Sequence, residues 1–170
     1  MLLSSLNNTD DRLARQHLLQ CCTSDAWVNR MLESRPFSNP QALFDYANGH
    51  WQNLTEADYL QAFDGHPKIG NVDSLRAKYA NTKELAAGEQ VQVSTASDYV
   101  LQQLAQGNTD YESKFGFIFI VCATGKSAQE MLELLLARIK NNRDAELLNA
   151  AEEQRKIFQL RLQKLIEASE

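Results

Sequence analysis

One run constrains the fold more than any other. Phe115-Gly116-Phe117-Ile118-Phe119-Ile120-Val121-Cys122-Ala123 has the β-branched and aromatic content of a β-strand. No second run of that kind exists to pair with it. A lone strand would bury unpaired backbone groups at high cost. The run is therefore expected to cross the core as a buried, partly extended or short helical segment that ends at Thr124-Gly125-Lys126. Everything around it has helical punctuation and period. The expectation is an all-α fold, a single compact domain over residues 1–170, with about eight helices and this one buried apolar crossing segment.

The helix starts are marked by capping residues. Thr9, Asp10 and Asp11 place acceptors and negative charge before Leu13, Leu18 and Leu19. Ser24-Asp25 opens a helix with Trp27, Val28, Met31 and Leu32 on one period, and Pro36 ends it. Ser38-Asn39-Pro40 opens the next with proline in its first turn, and Leu43, Phe44 and Ala47 lead to a stop at Gly49. Val72 to Tyr79 is a short helix or an irregular connection. A longer helical stretch opens over Lys83 to Val91, with Gly88 weakening it, and Tyr99, Val100, Leu101, Leu104 and Ala105 continue it to Gly107. Ser127-Ala128-Gln129-Glu130 is a capping box before Met131, Leu132, Leu134, Leu135, Leu136 and Ile139, with Asn141-Asn142 closing that helix. A last helix is predicted from about Asp144 to Ala168.

Local structure alone does not explain Asp64-Gly65-His66-Pro67-Lys68-Ile69-Gly70. Thr55, with Asp58 three residues on, starts a helix through Leu60 and Phe63. Gly65 can stop it in the left-handed conformation, and Pro67 prevents its resumption. Pro67 also biases His66 toward an extended backbone. An imidazole on so stiff a corner has few backbone states to lose, and its unperturbed pKa lies near neutrality. Two readings stand: an ordinary surface histidine in a turn, or a catalytic or ligand-binding histidine.

Charge and composition exclude several classes. The net charge is −5 and no basic run reverses it, which argues against a nucleic-acid surface. No apolar segment is long enough to span a bilayer, so no membrane association is expected. Met1 to Leu6 lacks the charged and apolar regions of a signal peptide, and the last residues carry no lipidation or peroxisomal signal. The three cysteines, Cys21, Cys22 and Cys122, suit a reducing cytoplasm better than a disulfide framework or a zinc site. The three histidines share no metal-ligand spacing, so no metal is expected.

The remaining chemistry is sparse. Ile157, Arg161 and Leu165 share a helical stripe, which places Arg161 among core-facing positions. It either snorkels or pairs structurally, or it faces a cavity holding an anionic or carbonyl-rich ligand. Glu89 lies between Leu85, Val91 and Val93, where partial burial would raise its pKa, although an exposed helical glutamate fits as well. His66, Glu89 and Arg161 could form an acid, a base and an anion clamp. His17 and His50 read as structural or exposed, and Cys122 as a small core residue without an evident base. Thr124-Gly125-Lys126-Ser127 lacks the upstream glycine and parallel strand of a phosphate loop.

Several blocks taken together resemble a known family. They are Trp27-Val28, Arg35-Pro36-Phe37, His66-Pro67-Lys68-Ile69-Gly70, Glu89-Gln90 and Lys114-Phe115-Gly116-Phe117-Ile118-Phe119-Ile120. The tail adds Arg138, Asn141, Glu146, Ala150, Glu153, Ile157, Arg161 and Leu162 in order. In these the chain is similar to the 2-oxo-4-hydroxy-4-carboxy-5-ureidoimidazoline (OHCU) decarboxylases of urate breakdown. The resemblance implies an all-α homodimer that releases carbon dioxide from a small ureidoimidazoline substrate without a cofactor, giving (S)-allantoin. It puts the catalytic histidine on His66, its acidic partner on Glu89 and a substrate arginine on Arg161. Further substrate contacts fall on Pro67, Gln90 and the backbone of Phe119, Ile120, Val121, Cys122 and Ala123. Ala86 stands in that wall where the family often has serine, and Val91-Gln92 where a small residue and glycine are usual. Both departures alter the wall rather than the reaction.

Two other readings follow from the same residues. A non-catalytic dimeric helical interaction module of this fold is compatible with Ala86, although His66, Glu89 and Arg161 together argue against it. A cyclic-amide hydrolase would release no carbon dioxide and would more naturally use a metal.

Overall fold

A computed structural model describes residues 1–67, 72–76 and 90–167, the side chains of 90–97 excepted. Its elements are α1 (Leu3–Asn8), α2 (Asp11–Cys21), α3 (Asp25–Glu33), α4 (Pro40–Gln52), α5 (Glu56–Asp64), a short helical run α6 over 72–76, α7 (Gln90–Phe115), α8 (Ala128–Arg138) and α9 (Arg143–Glu167). No strand occurs among the described residues. The segment after Phe115 crosses without regular structure, and Phe117, Phe119 and Ile120 are buried along it. The expected crossing segment is thus present. Its composition does not become a strand because no partner strand exists among these residues to receive its hydrogen bonds.

The expected caps form. Asp10 accepts from Leu13 N–H, Ser24 from Trp27 N–H and Asn39 from Ala42 N–H, with Pro40 just inside its helix. Thr55 and Asp58 form a reciprocal capping box, and Ser127 and Glu130 form a second. Some predicted stops and faces differ. Helix α4 runs past Gly49 to Gln52, because Trp51 is buried and its indole N–H donates to Ala151 O at 2.9 Å. Burying such a ring gains about 1.5–3 kcal/mol, which exceeds the roughly 1 kcal/mol helix penalty of glycine. Leu13 is exposed, and Ala14, Leu18 and Cys21 form the buried face of α2.

The chain folds into two compact units. The first comprises Met1–His66, Ile120–Cys122 and Leu147–Glu170. In it α2 packs on α3, and α3 on α4 and α5. Trp27, Trp51 and Phe158 form its aromatic centre, with Phe158 centred 5.0 Å from Trp27 and 5.6 Å from Trp51. The six-residue α1 is too short to persist alone. Arg35 holds its end by donating to Leu6 O and Thr9 O, both at 2.9 Å.

The second unit comprises Pro67–Phe119 and Ala123–Glu146. Its frame is α7 against α8. The predicted stop at Gly107 does not occur, and α7 continues to Phe115. A Cβ on Gly107 would lie 2.8 Å from Leu135 Cδ2, so the glycine serves close helix approach instead. Beyond it Tyr111 and Phe115 are buried. The chain leaves α7 through Gly116 at φ +82°, a conformation that favours glycine. Glu146 is fully buried and accepts from Tyr111 Oη at 2.5 Å, Arg138 Nε at 2.8 Å and Asn141 Nδ2 at 2.9 Å.

Candidate active site

The histidine corner is built by the end of α5. Gly65 does not take the predicted left-handed conformation: its φ is −72° and ψ −11°. Its N–H bonds back to Ala62 O, and that of His66 to Phe63 O at 3.1 Å, so the last turn tightens without reversing. Space explains the glycine. A Cβ there would lie 2.1 Å from Thr23 Oγ1. Thr23 is pressed so close because its hydroxyl meets the last carbonyls of α5, donating to Gln61 O at 3.1 Å and lying 3.3 Å from Ala62 O. Gln61 and Asp25 add reciprocal bonds, Asp25 N–H to Oε1 at 2.9 Å and Nε2 to the carboxylate at 2.8 Å. The chain turns at His66, and Pro67 follows, exposed.

Helix α9 supplies the groups that meet this corner within the first unit. His66 Nε2 lies 2.5 Å from Gln154 Oε1, where the amide oxygen accepts and the ring nitrogen donates. Gln154 is fully buried, and its Nε2 has no hydrogen-bond partner among the described residues. The preceding residue, Glu153, accepts the backbone N–H of Cys122 at 3.1 Å and the ammonium of Lys156 at 2.6 Å. Consecutive residues of one helical turn therefore hold the histidine and the Ile120–Cys122 piece of the crossing segment. Such a turn can keep a proton-exchanging ring and a strip of backbone amides in fixed register.

Arg161 is exposed, contrary to the core-facing position expected of it. The buried stripe of α9 runs through Gln154, Phe158 and Leu162, one position away from Ile157, Arg161 and Leu165. Arg161 Nη1 lies 3.5 Å from Gln20 O and 3.5 Å from Cys21 O, at the carbonyl end of α2, where a cation is favoured. It stands two turns, about 10 Å of helix rise, beyond Gln154. Burial pushes the neighbouring Cys21 and Cys22 thiols up to about 12, opposed by the Arg161 charge, so both are neutral in the physiological range.

The other predicted positions divide between the units. Ile120, Val121 and Cys122 belong with the first, and Pro67, Phe119 and Ala123 with the second. Cys122 is half-buried rather than a core residue. In the second unit the Arg138 guanidinium sits over the Phe119 ring, 4.6 Å from its centroid. Ala86 and Glu89 lie outside the described residues, as does the side chain of Gln90. No group of three or more His, Cys, Asp or Glu among the described residues is arranged to hold a metal ion. Sequence reasoning missed Gln154 altogether. Its signal is a polar residue at i with Phe158 and Leu162 at i+4 and i+8.

The family model for OHCU decarboxylase matches residues 7–163. The uric acid degradation bifunctional protein TTL of Arabidopsis thaliana is 37% identical over 145 residues, which cover 85% of this chain and 45% of that protein. The chain therefore spans less than half the length of that relative. The 2-oxo-4-hydroxy-4-carboxy-5-ureidoimidazoline decarboxylase of Amia calva is 33% identical over 137 residues, 78% of this chain and 75% of that protein. A crystal structure described as OHCU decarboxylase in the presence of (S)-allantoin matches with a TM-score of 0.72 and 36% identity, covering 94% of this chain and 99% of that one. The chain belongs to the OHCU decarboxylase family.

Proposed function

We propose that residues 1–170 act as one decarboxylase that converts 2-oxo-4-hydroxy-4-carboxy-5-ureidoimidazoline to (S)-allantoin and carbon dioxide without a cofactor, in the cytoplasm and as a homodimer. The observation that carries the reading is His66 itself, held on a stiff corner with Nε2 bonded to buried Gln154, in a chain of this family. In the reaction the bond from ring carbon to carboxylate breaks. Carbon dioxide leaves, and the electron pair spreads into the conjugated ring beside its nitrogen and carbonyl groups. One proton then arrives on one face. The protein has to orient the carboxylate, stabilise the developing charge and place that proton.

His66 serves as the acid/base, with Glu89 orienting it or sharing the relay. The exposed Arg161 guanidinium binds a carbonyl or ureido oxygen. Backbone amides of Phe119 to Ala123 fix the ring edges, with Pro67, Ala86 and Gln90 completing the wall. Exposed Leu148 and Tyr46 in the first unit and Leu136 and Tyr99 in the second support a homodimer, which sedimentation of the whole chain checks. The three cysteines, odd in number with two of them adjacent, fit a reducing compartment.

The test is circular dichroism during turnover, with the unstable substrate generated in place from urate. Faster loss of substrate, leaving the signal of (S)-allantoin, supports the assignment. His66→Ala is expected to lower kcat by about 10²–10⁴. Unchanged decay to racemic product would leave a helical interaction module of the same fold.

A further inference from the structure

Gln154 is anomalous on its own terms. It is fully buried between aliphatic and aromatic neighbours in the stripe it shares with Phe158 and Leu162, where an apolar side chain would fit the pattern. Its amide oxygen meets His66 Nε2 at 2.5 Å, while its amide nitrogen is buried without a partner among the described residues. A buried NH₂ with no acceptor is costly to keep. Rotating the amide would hand that NH₂ to the imidazole but strand the oxygen instead. The observed arrangement has one consequence for the ring. With Nε2–H donating to a carbonyl oxygen, the neutral imidazole carries its lone pair on Nδ1.

We propose that Gln154 is the positioning residue of His66: its buried amide oxygen fixes the ring as the Nε2–H tautomer, so that Nδ1 is the nitrogen that exchanges protons in the reaction. The second half rests on the decarboxylase reading, and the first does not. A neutral amide suits this task. It orients the ring without adding charge, whereas a carboxylate there would favour the imidazolium. Nearby charged and titratable groups of the first-unit elements, among the described residues, have other partners or are exposed. On α9, Glu153 is engaged by the Cys122 amide and Lys156. Arg161 lies at the end of α2, beside the Cys21 and Cys22 thiols. Asp64, at the end of α5, is exposed.

The test uses the full-length chain with ¹⁵N-labelled histidine, read by long-range ¹H–¹⁵N correlation, the His66 signals being assigned by their loss in His66→Asn. The wild-type neutral ring is expected to be protonated at Nε2 and unprotonated at Nδ1. Gln154→Leu should give a mixture of tautomers and a fall in kcat of about tenfold or more with KM little changed, comparable to losing the outer partner of a ligating histidine. Gln154→Glu, nearly isosteric, should raise the His66 titration by about 1–3 pH units and move the matching limb of the kcat–pH profile with it. A wild-type ring protonated at Nδ1 overturns the proposal. So do variants that fold, by far-UV dichroism, with ring signals and pH profile unchanged. If Gln154→Leu does not fold, Gln154→Glu alone decides by the same signals. Gln154-dependent ring signals in a chain that does not decarboxylate would uphold the tautomer assignment and remove the catalytic reading.

Discussion

Glu153 fastens the crossing segment to α9 at Cys122: its carboxylate accepts the Cys122 backbone N–H at 3.1 Å. Among the described residues no strand lies beside the segment to bond its backbone, and at Cys122 a side chain does so. Glu153→Ala removes an acceptor from a part-buried N–H, and the expected loss of stability is about 1–3 kcal/mol. Glu153→Gln keeps an acceptor and should lose less. Because Ile120–Cys122 is proposed substrate-facing backbone, kcat/KM should fall in the same order. Urea melts and steady-state turnover of both variants check this. Wild-type melting and turnover in Glu153→Ala would sink the link.

Gly65 and Thr23 make a second pair whose coupling is measurable. A Cβ at 65 would lie 2.1 Å from Thr23 Oγ1 and 2.9 Å from its Cβ, so Gly65→Ala should cost about 1–3 kcal/mol through overpacking. Thr23→Gly removes both atoms, so in the double variant much of the penalty of Gly65→Ala should vanish, a non-additive result. Additive losses in a double-mutant cycle would show that the glycine is needed for another reason. The corner carries His66, so turnover should fall and recover with stability.

What could be read from the chain divides by range. Capping residues act within four positions of themselves, so Asp10, Ser24, Asn39, Thr55 and Ser127 marked their helices correctly. The unpaired run after Phe115 announced an all-α fold with a crossing segment. Gly65 and Gly107 depart from their predicted roles because the side chains that require them, Thr23 and Leu135, are distant in sequence. The phase of α9 departs from expectation for another cause. Ile157, Arg161 and Leu165 carry apolar residues at helical spacing just as Gln154, Phe158 and Leu162 do, and one residue of rotation decides which stripe is buried. Each stripe carries one polar residue among apolar ones, Arg161 in the first and Gln154 in the second, so local pattern alone does not separate them and leaves the His66 partner unmarked.

Glu146 and Arg138 form the most buried ion pair described, at 2.8 Å, with the carboxylate fully buried and the arginine side chain 12% exposed. Tyr111 and Asn141 supply two further donors to the same carboxylate. Breaking such a pair from one side leaves an uncompensated charge, so Glu146→Ala should destabilise by about 3–5 kcal/mol. Tyr111→Phe should cost only about 1 kcal/mol, because two donors remain. Burial, then the hydrogen bond to Glu146, pushes the Tyr111 phenol far above its ordinary range. Chemical denaturation of both variants gives the ordering, and equal losses would contradict it.

The vicinal thiols predict the response to alkali. Burial raises both Cys21 and Cys22 from 9.0 to about 12. In the unfolded chain they ionise near 9, while the folded chain keeps them protonated to about 12. Between those values the unfolded state binds fewer protons, so stability falls as pH rises. Their contribution is fully present below pH 9 and is lost progressively through the folded values. Tyr59 and Tyr111 are raised too and add to the slope at higher pH, so the thiols have to be isolated by difference. Cys21→Ala/Cys22→Ala should be less stable than wild type at pH 8, because it removes buried side-chain volume, but should lose less on going to pH 10.5. Urea melts at both pH values measure that difference. Parallel losses in the two proteins would mean that the thiols ionise as readily folded as unfolded. An aromatic disulfide reagent at pH 8 gives an independent check: the half-buried Cys122 should react first, and Cys21 and Cys22 only on the timescale of unfolding.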